Sequence, residues 1–330
     1  IPGSYMIREF ARNIVRVHAE SGGEPVALVK LDKHTWRAAP VQGALTVVYE
    51  VYAWDMSVRA AHMDQTHAFF NGTSMYLRVV VQENKAHQVD LRRPADASAR
   101  YWRVATALPE MGAKRYGFGT YVAGDYDELI DHPVEMGDFA LGTFTAHGVQ
   151  HDIVITGRVP NLDMERLERD LKVLCERHIA FFEPKTKRAP MDRYVFMTMA
   201  VGDGYGGLEH RASTALVCNR SDLPTTSDQG RTPGEGYIKY LGLCSHEYFH
   251  TWNVKRIKPA AFAPYDLQAE TYTPLLWLFE GFTSYYDDLL LLRSGLITEA
   301  AYLKLLGKSI GGVLRGSGRT KQSVADSSFD

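Results

Sequence analysis

Residues 1 to 157 read as β-structure. The stretches 44–53 (ALTVVYEVYA) and 74–81 (SMYLRVVV) are rich in β-branched and aromatic residues, and their apolar and polar positions partly alternate. That pattern predicts strands, because successive strand side chains face opposite ways. Residues 101–105 and 152–157 read the same way. Turn signals punctuate them, such as Phe70-Asn71-Gly72 and Val122-Ala123-Gly124-Asp125. No helical period interrupts this half, which predicts a sandwich or a curved sheet.

The period changes near Pro160. Asn161 can cap a helix, and Leu162, Leu167, Leu171, Leu174 and Cys175 follow at helical spacing, predicting a helix to about Phe182. Strands are expected at 194–201 (YVFMTMAV) and, after a glycine-rich turn, at 212–218. Three helices are expected to complete the chain, at 236–254, 273–294 and 298–314. Gly295 closes the second of them, and Thr298 with Glu299 opens the third. The fold class is therefore α+β, with a β-rich N-terminal domain at 1–157 and a helix-rich domain at 158–330. No internal repeat or low-complexity stretch is present.

Composition narrows the function classes. The chain has 330 residues, 37 basic and 39 acidic, for a net charge of −2. No positive field exists to attract phosphate, so a dominant nucleic-acid binder is excluded. No uninterrupted apolar run approaches the ~18 residues of a membrane span. Three scattered cysteines, Cys175, Cys218 and Cys244, make neither a disulfide framework nor a CxxC metal site, and read as core thiols. They leave the compartment open between cytoplasm and periplasm. The chain begins and ends in mid-pattern and is expected to be a portion of a longer polypeptide.

The candidate chemistry starts at His246-Glu247-Tyr248-Phe249-His250, an H-E-x-x-H motif. Residues four apart lie about 40° from each other around a helix axis, so both imidazoles face one side and can share a zinc ion. Glu247, one position on, sits beside the metal rather than on it. It can take a proton from an attacking water and hand it to a leaving amine. Leu241, Leu243, Cys244, Phe249 and Trp252 make this helix apolar, which argues against a surface helix with two incidental histidines.

A zinc hydrolase needs a third protein ligand. Two acids compete: Glu270, in a loop-like segment, and Glu280, inside Trp277-Leu278-Phe279-Glu280-Gly281-Phe282. A carboxylate buried among such flanks requires a metal or a cation, so Glu280 is the preferred ligand, and a plain ion pair is its bland reading. Gly204-Tyr205-Gly206-Gly207-Leu208-Glu209-His210 joins two expected strands. Its glycines let backbone run close to a ligand, and an acid beside a metal could hold a substrate ammonium group.

Taken together, HEYFHTWNVKR (246–256), WLFEGFTSYY (277–286) and GGLEH (206–210) resemble the glycyl aminopeptidase family of zinc metallopeptidases, whose members often carry a PDZ domain. The opening PGSYMIREFARN (2–13) and FNGTSMYLRV (70–79) are also similar to it, so the resemblance spans the chain. It implies a thermolysin-like catalytic domain, incomplete here, with a PDZ domain beyond the chain end. It implies zinc on His246, His250 and Glu280, with Glu247 as base and then acid. Glu209, with Gly206 and Gly207, would bind the free amino terminus of a peptide. His210 stands where the broader aminopeptidase group has Asn. The His250-to-Glu280 spacing is about ten residues longer than in that group, an insertion that 255–272 would absorb. The oxyanion-stabilising tyrosine of related enzymes would lie on a later helix, and Tyr205, Tyr285 and Tyr286 are only local substitutes.

The resulting expectation is a zinc aminopeptidase releasing glycine or alanine. A zinc endopeptidase and a non-catalytic PDZ-type binding protein with a relic metal site are its rivals. Several residues receive bland readings. His210 reads as a loop histidine. Lys255 and Arg256 either meet a substrate carboxylate or cap the helix end. Lys185-Thr186-Lys187-Arg188 is a solvated loop. Trp36, Trp54 and Trp102 are core. His62 and His67, five apart in an expected loop, present no metal geometry.

Overall fold

The structure is a computed structural model that describes residues 6–264 and 266–329. Residues 2–5 of the opening PGSYMIREFARN stretch lie outside the described residues. The β-rich first half is built from small sheets. A three-stranded sheet pairs Ile14–Ser21 with Glu24–Val26 and Thr46–Val51. A four-stranded sheet contains β1 (Ala61–Met63), β2 (His67–Phe70), β3 (Arg103–Ala105) and β4 (Val134–Gly137), in the order β1-β2-β4-β3.

One strand expectation fails here. No strand forms over 74–81: Ser74 and Met75 belong to a helical turn, Gly72–Met75, and residues 76–81 are not a strand either. The Asn71 side chain accepts from the Thr73 N–H and so caps that turn. A Cβ at Gly72 would lie 2.7 Å from the Ile130 Cα, so glycine allows the turn to press on the short helix Tyr126–Ile130.

The second half is organised by a five-stranded sheet. Its strands are β5 (Ala140–Ala146), β6 (Val149–Thr156), β7 (Arg193–Val201), β8 (Gly206–Glu209) and β9 (Ser213–Asn219), in the order β5-β6-β7-β9-β8. β6, β7 and β9 run parallel, and β5 and β8 are antiparallel edges. The crossover from β6 to β7 is helix α1 (Met164–Phe182). The division expected at residue 157 would pass between β6 and β7, which pair over seven residues. A division between Gly137 and Ala140 severs no strand pair.

Helices α1, α2 (Glu235–His250) and α3 (Leu276–Arg293) cover one face of this sheet, and α4 (Glu299–Arg315) follows. Ile153, Ile155, Phe196 and Leu216 from the sheet meet Leu171, Leu174, Leu241 and Tyr248 from the helices in the main core. The other face receives the N-terminal half. Ala105 and Phe139 pack with Val154, Val195 and Met197, and Val58 and Phe69 pack with Leu208 and Ala215. Alternation along β8 thus sends Leu208 toward the N-terminal half and Gly207 and Glu209 toward α2.

The chain does not stop at the three expected helices, since a short helix at Val324–Phe329 follows. All three cysteines are free and buried. Trp102 is buried, but Trp54 is 62% exposed, so it is not a core residue. No described helix is long and apolar enough to cross a membrane.

Candidate metal centre

Helix α2 carries the H-E-x-x-H motif against the sheet. Tyr240, Leu241, Cys244 and Tyr248 bury one side of it. His246, Glu247 and His250 occupy the side turned toward α3 and β8. The two Nε2 atoms lie 3.1 Å apart. Glu280 Oε2, from the second turn of α3, lies 3.5 Å from each of them. Glu270, the rival ligand, instead accepts from the Tyr272 hydroxyl at 2.5 Å on an exposed segment.

This donor set fits zinc. Ligand atoms roughly 2.0–2.1 Å from a tetrahedral ion lie about 3.3 Å from one another, close to the separations found. The opposite ring nitrogens are already committed. His246 Nδ1 faces Asp287 Oδ2 at 2.9 Å, and His250 Nδ1 donates to the Asn253 carbonyl at 2.8 Å. Each ring therefore turns Nε2 to the shared point, as metal-binding histidines require. Asp287 escaped the sequence reading, although it lies seven residues after Glu280, two turns along the same face of a helix.

One expectation needs correcting. Glu280 is not buried, because its side chain is 34% exposed. α3 meets α2 through Thr283, whose hydroxyl lies 3.5 Å from His250 Nδ1, and through Tyr286, which stacks on Phe249, while Trp277, Phe282 and Tyr285 are exposed. The apolar flanks of the motif do not enclose the carboxylate.

Burial lowers the His246 pKa, but the Asp287 and Glu280 carboxylates outweigh it and carry the imidazole well above its usual value. His250 rises for the same reason, through Glu280 and Glu209. An ion binding these nitrogens competes with protons for them. Burial pushes the Glu247 carboxyl up to about 7; the His246 and His250 charges oppose this, and those of Glu209 and Glu280 add to it. A dication beside it would pull it back down.

Strand β8 brings Gly206, Gly207 and Glu209 to the same place. A Cβ at Gly207 would overlap the Glu247 carboxylate, so glycine here is a packing requirement. Glu209 is 4% exposed and its Oε1 has no hydrogen-bond partner, and Glu247 Oε2 is buried and equally unpaired. Two unpaired buried carboxylate oxygens therefore lie beside His246, His250 and Glu280, where a cation or a proton donor could satisfy them.

The patterns of two known domains match this chain. That of the peptidase M61 N-terminal domain covers residues 1–138, and that of M61 glycyl aminopeptidase covers residues 239–330. The chain belongs to the M61 peptidase family. The second match contains His246, Glu247, His250 and Glu280, whereas Glu209 lies between the two. The crystal structure of an aminopeptidase N family protein from Idiomarina loihiensis aligns with a TM-score of 0.95 at 46% identity, over 100% of this chain and 55% of that one. The M61 chain thus spans about half the length of that protein. No curated protein matches it.

The remaining candidates in this M61 chain are structural ties. Lys255 Nζ donates to Asp131 Oδ1 at 2.6 Å, and His210 Nδ1 lies 3.3 Å from the same oxygen. Arg211 Nε donates to Asp131 Oδ2 at 2.9 Å. Arg256 donates to the carbonyls of Thr251, Arg211 and Pro190, at 2.7, 3.1 and 2.8 Å. It therefore caps the end of α2 and ties the following loop. Tyr286 stacks on Phe249 with ring centroids 5.6 Å apart, while Tyr205 and Tyr285 are half exposed.

Proposed function

We propose that this chain is the catalytic part of a zinc-dependent aminopeptidase that releases small N-terminal residues, glycine or alanine, from peptides. The observation that carries the reading is the pair of unpaired buried carboxylate oxygens, on Glu209 and Glu247, beside His246, His250 and Glu280. The name of the matching family and that of the aligned structure support aminopeptidase chemistry.

His246, His250 and Glu280 would hold the ion, with Asp287 and the Asn253 carbonyl fixing the two rings. A bound zinc supplies a Lewis acid that polarises the scissile carbonyl and acidifies a water. Glu247 accepts the proton of the attacking water and delivers it to the departing amine nitrogen. Glu209 pairs with the substrate ammonium, which fixes the cut one residue from the end. β8 is an edge strand, so a peptide can lie along its free side by strand addition.

The test is metal and base together. Chelation should abolish hydrolysis of glycyl and alanyl anilides by the full-length protein, and zinc should restore it. Glu247→Gln should bind zinc and remain inactive. A metal-loaded Glu247→Gln enzyme that retains activity would remove Glu247 from the role.

A further inference from the structure

A second set of ligand atoms surrounds the hairpin that joins β1 to β2, where the sequence reading expected no metal geometry. The register pairs His62 with Phe69, two residues after His67, so both imidazoles share one face of the sheet. Glu135 on β4 also pairs with Phe69 and shares that face, with Oε1 3.0 Å from His67 Nδ1. Asp64 occupies the turn. Its Oδ1 accepts from the Thr66 N–H at 2.6 Å, the Thr66 hydroxyl at 2.7 Å and the His67 N–H at 3.1 Å. Its Oδ2 is left facing His62 Nε2 at 3.3 Å. One ring nitrogen from each histidine and one Asp64 oxygen lie within 4.8 Å of one another.

A His67–Glu135 ion pair accounts for one of these histidines. It does not account for a second imidazole 5.2 Å away, centroid to centroid, 4% exposed and with Nδ1 lacking any hydrogen-bond partner. Nor does it account for a carboxylate held by three donors with its other oxygen 3.3 Å from that imidazole.

We propose that His62, Asp64 and His67 form a second binding site for a divalent transition-metal ion. Two imidazoles and a carboxylate suit zinc, nickel, cobalt or copper(II) rather than calcium or magnesium, which take oxygen ligands. Glu135 on Nδ1 leaves Nε2 of His67 for the ion and fixes its ring, as Asp287 does for His246. An ion there cross-links β1, the turn and β2, whose Phe69 packs on Leu208, the residue before Glu209.

The test uses the metal-free full-length protein and equilibrium dialysis against zinc. The bound number should fall by one in His67→Gln, and by one in Asp64→Asn, whose partly exposed position makes loss of folding less of a concern. His250→Ala should lower the number separately, through the first centre. A loss in His250→Ala with no loss in either hairpin variant would refute the second site and leave the first standing. Trp54 provides an independent readout, because its ring lies 4.9 Å from that of His62. Copper(II) should quench its fluorescence in the parent protein, and the quenched component should vanish in Trp54→Phe and in His62→Gln. Quenching undiminished in His62→Gln would also overturn the assignment.

Discussion

His246 Nδ1 lies 2.9 Å from Asp287 Oδ2, joining the first histidine of the motif on α2 to the second half of α3. The contact fixes which nitrogen of His246 faces Glu280 and His250. Asp287→Asn should weaken zinc binding about 10–100-fold, the usual cost of losing such an outer partner, while leaving the fold intact. A competition titration with a chromophoric chelator checks this. Affinity equal to that of the parent would make Asp287 a bystander.

Gly207 faces the Glu247 carboxylate so closely that a methyl group would displace it. Gly207→Ala should cut kcat by at least tenfold, because the base is moved while the metal ligands are not. Zinc stoichiometry and thermal midpoint should stay near parent values. Parental kcat in that variant would show that Glu247 has other room to move.

Asp131 ties the N-terminal half to the second half. It is buried, and burial alone would raise its pKa, but Lys255, His210 and Arg211 together hold it well below the usual carboxylate range. A lowered pKa contributes stability that is complete above the unfolded value, about 3.9, and that is lost as pH falls below it. Asp131→Asn should cost about 3–5 kcal/mol at neutral pH, since it removes a buried carboxylate that pairs with the Lys255 ammonium and the Arg211 guanidinium. Denaturant titration measures this, and a cost below about 1 kcal/mol would contradict the assignment.

His151 and His178 are buried, and burial lowers both from the ordinary 6.5 to about 4, against backbone hydrogen bonds that raise them. Between those two values the unfolded chain binds protons that the folded chain refuses, so stability falls as pH falls. Each histidine should cost about 2 kcal/mol at pH 5 relative to pH 8. In His151→Gln the loss over that interval should shrink by about that amount. An unchanged pH dependence would show that His151 titrates alike in both states.

The sequence revealed the parts of the centre that depend on local periodicity. Spacing four on a helix brings His246 and His250 together, and α1, β7 and β9 follow from runs that obey one period throughout. Contacts between distant segments were not legible. Asp131 and Lys255 are 124 residues apart, and no local pattern announces their pairing. The strand expected at 74–81 failed: its first two residues belong to a helical turn capped by the Asn71 side chain, which the β-branched residues of the stretch do not reveal. Glu280 was expected to be enclosed because its neighbours are apolar, but only one side of α3 meets α2. His62 and His67 were passed over because five-residue spacing suits neither a helix nor a single strand. Only the hairpin register puts them on one face.

The central claim is that Glu209 reads a free amino terminus beside a zinc-activated centre. Its most direct test compares glycyl and alanyl anilides with their N-acetylated forms, using the full-length protein and Glu247→Gln as the blank. Cleavage of the free-amine substrates alone, lost in Glu209→Gln chiefly through KM, is the predicted result. Comparable cleavage of the acetylated forms would contradict it and make the enzyme an endopeptidase.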